Sequence, residues 1–246
     1  MTTRAQFIRE VRFGKGADAD EYPFDLPVVR RIVEGAGSLR IPPGVTFLVG
    51  ENGSGKSTLI EAIAVAAGLN PEGGSQNYRF ETRSTESQLG EHLSLTWGVT
   101  KPRSRFFLRA ESYYNVATET ERLGPEQVAT LGGVSAHERS HGESFVDLLK
   151  HRFSPNGLYL LDEPEAALSP NGCMAVIAHL AHLAKRGCQI LVATHSPILL
   201  ALPGATIYEI LEDGTIDLVV YDDALPVRLT RDFLADPDRY LRHLID

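Results

Sequence analysis

The sequence predicts an α/β fold, a mostly parallel sheet flanked by helices with an antiparallel β subdomain ahead of it, and two observations carry that expectation. Val45–Val49 (VTFLV), Leu158–Leu161 and Gln189–Ala193 are continuously apolar instead of alternating, as strands covered on both faces are. These runs alternate with helix-like stretches at Ser57–Ala67 and Gly172–Lys185, the order in which parallel strands are joined by crossing helices.

Along the chain, apolar and charged residues alternate from Phe7 to Phe13, and short segments of similar character recur between Gly and Pro from Val28 to Ile41. Both suit half-buried antiparallel strands, so residues 1–44 are expected to form an N-terminal antiparallel unit. Val45–Val49 then feeds a Gly-rich turn and a helix that stops at Gly68. Residues 70–90 are rich in Gly, Ser, Thr, Asn and Gln without apolar periodicity, which predicts a loop. Strands are expected at Leu93–Val99 and Arg105–Ala110, and a helix at Ser144–His151. The helix at Gly172–Lys185 is closed by Gly187, and Thr230–Leu244 is expected to be a short amphipathic helix packing back on the body. Residues 1–246 form one domain in this scheme, with a variable subdomain over 70–143.

Hydrophobic residues at 43% and charged residues at 23% suit a globular chain with a full-sized core. A net charge of -8 excludes a global positive field for holding a polyanion, so any nucleic-acid contact has to be local. Cys173 and Cys188 lack CxxC spacing and are expected as buried thiols in a reducing compartment. The N-terminus lacks the apolar core of a signal peptide, and no run reaches the roughly 18 apolar residues that span a bilayer. A cytoplasmic location without direct membrane insertion is the expectation.

Gly50-Glu51-Asn52-Gly53-Ser54-Gly55-Lys56-Ser57 fits G-x-x-x-x-G-K-[ST] between an expected strand and helix. Glycines let the backbone curl so that successive N–H groups face phosphates, and the helix start adds its positive end. Lys56 reaches the β and γ phosphates of ATP; Ser57 is placed to ligate Mg²⁺, with Thr58 a lesser candidate. Asp162 and Glu163 end a buried strand, and ligands of an open parallel sheet sit at such ends. Asp162 is therefore expected beside the metal held by Ser57, with Glu163 taking a proton from, or orienting, the attacking water.

With those residues in place the chain resembles the ABC class of P-loop ATPases over roughly residues 40–200. Ser140-His141-Gly142-Glu143 resembles the ABC signature, Asp162-Glu163-Pro164 continues into a segment like the D-loop, and Ala193-Thr194-His195-Ser196 stands where that class carries its switch histidine. His141 and Glu143 depart from the usual signature residues. This flavour is similar to the compact stand-alone ATPases near the SMC and RecF-like branch. The resemblance implies a head-to-tail homodimer that closes on ATP, with Ser140 and the Gly142 N–H of one copy and His195 of the other at the γ phosphate. It also implies a Q-loop glutamine toward the metal, Gln76 or Gln88.

Each of these residues has a plainer reading. His195 could be an ordinary buried histidine, and Ser140 could serve solely as a helix N-cap. His137, Glu138, His141 and Glu143 read as a solvated turn before a metal cluster. Lys101, Arg103, Arg105 and Arg109 interleave with Phe106 and Phe107, a mixture suited to nucleic acid, but strand alternation predicts a charged outward face instead. Tyr22 or Phe24 is a candidate for stacking on adenine. Two functions compete: a soluble stand-alone ATPase, with DNA a candidate substrate, and the nucleotide-binding subunit of a transporter.

Overall fold

In the computed structural model, residues 6–14, 21–35, 37–71, 88–110 and 141–245 are described. Strands β1 (Ile8–Phe13), β2 (Ser38–Arg40), β3 (Val45–Gly50), β4 (Leu93–Trp97), β5 (Ser104–Arg109), β6 (Gly157–Asp162), β7 (Gln189–Ala193), β8 (Thr206–Ile210) and β9 (Ile216–Val219) form two sheets. The larger runs β5-β6-β7-β3-β8-β9, and all its neighbours are parallel except β8 and β9. The unbroken apolar runs explain this sheet. β3, β6 and β7 are buried at every position, and successive residues serve opposite cores. Leu48, Leu160 and Leu191 join the core on one face; Phe47, Leu161 and Val192 join the other. The mostly parallel α/β expectation therefore holds.

The first core lies under α1 (Pro27–Glu34), α2 (Lys56–Ala66), the four-residue α3 (Gln88–Glu91) and the antiparallel sheet β2-β1-β4. The second lies under α4 (His141–Arg152), α5 (Pro170–Lys185), the four-residue α6 (Pro197–Leu200) and the start of α7 (Leu225–Ala235). Ser169 caps α5 by accepting the Gly172 N–H at 3.2 Å. Gln189, fully buried at the start of β7, joins the two sheets: its Oε1 accepts from the backbone N–H of Phe7 and Ile8 at 2.9 and 2.8 Å, and its Nε2 donates to Ile8 O at 2.8 Å.

Four local expectations are corrected. The stretch from Val28 opens as a helix, because Pro27 suits the first helical turn and Val28, Val29 and Ile32 bury one helical face while Arg30, Arg31 and Glu34 face solvent. Only Ser38–Arg40 of that region is strand, and the third strand of the antiparallel sheet is β4, beyond residue 44. Arg105 and Arg109 do not make an outward charged face. Both faces of β5 meet neighbours, so Arg105 donates to Ala67 O at 2.9 Å and lies 4.9 Å from the Trp97 ring centroid, while Arg109 turns onto Glu61.

The C-terminal stretch is two helices, α7 and α8 (Pro237–Leu244), because Pro237 cannot continue the first and instead starts the second behind an Asp236 cap. Val227 alone is buried in α7 and no residue of α8 is, so the stretch does not pack back along an apolar face. The expected buried thiols are found at Cys173 and Cys188. Among the described residues no helix is long and apolar enough to cross a membrane.

Candidate active site

β3 leads straight into the loop that starts α2. At Gly50 the backbone has φ 153°, and a Cβ there would lie 2.6 Å from Ile210 O and 2.8 Å from Ser54 Oγ. Gly55 has φ 92°, and its Cβ would meet Val28 Cγ1 at 2.8 Å. The chain can fold back on itself here because neither position carries a side chain. Glu51, Asn52 and Gly53 are exposed at the crest of the loop. Lys56, 4% exposed, bends back so that Nζ donates to Glu51 O at 2.9 Å. Burial holds its pKa below the usual lysine value, and Glu163, Asp162, Glu165 and Glu51 oppose that shift. The result is a desolvated ammonium at a helix start, where the first N–H groups have no acceptor within the helix, an arrangement that attracts a polyphosphate.

The next residue faces the sheet. Ser57 Oγ donates to Asp162 Oδ1 at 3.0 Å, across from the last position of β6. Thr58 faces elsewhere, its hydroxyl 3.3 Å from that of Tyr22. Tyr22 is 54% exposed beside α2, whereas Phe24 packs edge-on to His92 at 5.0 Å and against the core, so only Tyr22 stays open to a ligand ring. Among the described residues no three His, Cys, Asp or Glu side chains converge as a metal cage. The hydroxyl and carboxylate pair instead suits a small hard cation that completes its shell with phosphate and water, as Mg²⁺ does.

Past β6 the chain turns sharply. Glu163 is left-handed, φ 47° and ψ 49°, a conformation that costs a non-glycine residue energy and that turns and active sites share. Its N–H donates to Ala193 O at 2.9 Å, and its Oε1 lies 3.5 Å from His195 Nε2. The Glu163 and His195 side chains are 38% and 34% exposed. The His195 N–H donates to Glu165 Oε1 at 2.5 Å. One end of the sheet thus gathers Lys56, Ser57, Asp162, Glu163 and His195. Ser140 and Gln76 lie outside the described residues. Gly142 falls in the first turn of α4, and Gln88 opens α3.

Two family models match successive stretches of the chain: "AAA domain" over residues 31–127, and "AAA domain, putative AbiEii toxin, Type IV TA system" over residues 131–201. The phosphate loop falls in the first match, and the strand-end carboxylates with His195 in the second. The chain is an ATPase, similar to AAA domains over these two stretches. The ATPase has no match among curated proteins. Among solved structures it is similar to the "SMC head domain from Thermotoga maritima", 18% identical, with 87% of this chain and 99% of that chain covered and a TM-score of 0.44. A second is described as "An inward-facing conformation of a putative metal-chelate type ABC transporter", 17% identical, covering 76% of each chain at a TM-score of 0.44.

Sequence reasoning missed three residues that the ATPase places at this site. Glu165 holds the His195 backbone, and Glu61 and Arg109 pair at 3.0 Å beside Asp162. A signal for Glu61 was present, since it stands one helical turn after Ser57 on the same face. Arg109 gave none, because only strand pairing reveals that it stands beside Asp162.

Proposed function

We propose that this ATPase hydrolyses Mg²⁺-ATP held between two copies of the chain. The observation that carries the reading is the meeting of Ser57 and Asp162 at 3.0 Å, next to buried Lys56 and one residue before Glu163. The backbone of Gly50–Ser57 and the Lys56 ammonium bind the phosphates, and Thr58 adds its position in the first turn of α2. Ser57 and Asp162 hold the cation. Mg²⁺, when bound, offsets charge on the β and γ phosphate oxygens. Glu163 accepts a proton from, or orients, the attacking water, and His195 donates to the γ phosphate.

A second copy is supported by how open the site is. Glu163 and His195 are each about a third exposed, and Glu51, Asn52 and Gly53 face solvent. Among the described residues the Glu163 and His195 side chains keep this partial exposure, with His195 Nε2 itself buried, and a partner surface would exclude water and add donors. Ser140 and Gly142 of the second copy are the residues proposed to complete the phosphate cage, with Gln76 sensing the cation. No DNA contact is assigned to the strand around Arg105 and Arg109, since both guanidinium groups are engaged internally.

Light scattering of Glu163→Gln with Mg²⁺-ATP, with phosphate release measured in parallel, tests the proposal. A dimer in the variant with release reduced by about a hundredfold or more supports it. A monomer that hydrolyses as fast as the parent overturns both the dimer and the role of Glu163.

A further inference from the structure

Four side chains from three elements close a ring beneath the phosphate loop. Ser57 and Glu61 are four residues apart on α2, so one helical face presents both to the sheet. Arg109 and Asp162 are register partners on the parallel strands β5 and β6, which directs both side chains to the same sheet face. The two pairs meet there. Ser57 Oγ is 3.0 Å from Asp162 Oδ1, Arg109 Nη1 is 3.0 Å from Glu61 Oε2, and Arg109 Nε is 3.6 Å from Asp162 Oδ2. The side chains of Glu61, Asp162 and Arg109 are 7%, 6% and 17% exposed, so water screens these contacts weakly.

We propose that Arg109 is the positioning residue for Asp162, holding Oδ2 so that Oδ1 is presented to the cation beside Ser57, and that Glu61 cancels the charge of that brace. The inference rests on the magnesium role proposed for Ser57 and Asp162. The terminal torsion of an aspartate is broad, so an unbraced carboxylate samples orientations that present neither oxygen well. A planar guanidinium restricts this by contacting two carboxylates at once, which a lysine ammonium on a flexible stem does less well. An unpaired cation so close to the site would repel Mg²⁺. The Glu61 carboxylate at 3.0 Å makes the brace nearly neutral, so it orients Asp162 without opposing the metal.

The double variant Glu61→Gln/Arg109→Gln removes the brace without changing the net charge around Asp162. Binding of a fluorescent ATP analogue in EDTA reports the phosphate loop alone and is expected within about twofold of the parent. The Mg²⁺ concentration that half-saturates the cation-dependent change in analogue binding is expected to rise about tenfold or more, the usual cost of losing a ligand's orienting partner. Arg109→Lys should fall between parent and double variant. If the double variant loses binding in EDTA, Arg109→Lys decides, a raised Mg²⁺ requirement supporting the proposal and an unchanged one overturning it. Asp162→Asn separates the two levels. If it leaves the Mg²⁺ requirement unchanged, the magnesium reading of the site fails; if it raises the requirement while the double variant does not, the role of Arg109 is overturned.

Discussion

The backbone N–H of His195 donates to Glu165 Oε1 at 2.5 Å, tying the residue after β7 to the segment after β6. His195 Nε2 reaches to 3.5 Å from Glu163 Oε1, so the two groups proposed to face the γ phosphate are held relative to each other through Glu165. Removing that anchor frees the His195 loop without touching the phosphate loop. Glu165→Ala is therefore expected to lower kcat about ten- to a hundredfold with ATP affinity nearly unchanged, and Glu165→Gln, which keeps an accepting oxygen, to lose less. Steady-state kinetics with a parallel binding titration checks this; an equal loss in both variants would point to the charge of Glu165 instead of its acceptor.

Gln189 carries a comparable structural load. It is fully buried and satisfies the N–H groups of Phe7 and Ile8, which begin the antiparallel sheet, from the first position of β7. A leucine fills similar space but leaves those donors buried without acceptors. Gln189→Leu should cost about 3 kcal/mol of unfolding free energy, measured in urea, and loosen residues 6–14 first in hydrogen exchange. Uniform loss of protection across both sheets would mean that the two sheets unfold as one unit.

These two residues illustrate what the sequence could convey. Apolar runs, loop chemistry and motif order are local signals, and they sufficed for β3, β6, β7, α2 and the grouping of Lys56 with Asp162. Roles set by strand pairing were not legible. Gln189 looks like one polar residue opening an apolar strand, and Arg109 looks like half of an alternating surface until β5 is laid beside β6. The Val28–Ile41 stretch misled because two short apolar clusters fit a period of 2 and of 3.6 about equally, and Pro27 and burial decide for helix.

His179 on α5 sets a pH dependence. Its Nε2 lies 3.1 Å from Leu149 O of α4, and burial holds its pKa below the ordinary 6.5, with the Leu149 carbonyl opposing and His182 and Lys150 adding to the decrease. Below pH 6.5 the unfolded chain takes up this proton more readily than the folded one, so acidification removes stability until the folded pKa is passed; above 6.5 the group contributes nothing. His179→Gln should flatten the decline in melting temperature as the pH falls below 6.5 and leave higher pH unaffected. A parallel decline in parent and variant would assign it to other groups.

Lys56 separates folding from binding. Lys56 is 4% exposed, its ammonium donates to Glu51 O, and burial already disfavours its charged form. Methionine matches its length and removes the desolvation cost along with that bond, two effects of opposite sign, so Lys56→Met should change the melting temperature of the free protein by no more than a few degrees. The stabilisation by Mg²⁺-ATP is another matter. It grows as RT ln(1 + [L]/Kd), about 2.7 kcal/mol for the parent at a hundredfold excess over Kd, and needs the ammonium at the phosphates. The variant should lose most of that increment at the same ATP concentration in a thermal-shift titration. An increment equal to the parent's would mean that the loop backbone binds the triphosphate unaided and that Lys56 acts only later, on the charge that develops during hydrolysis.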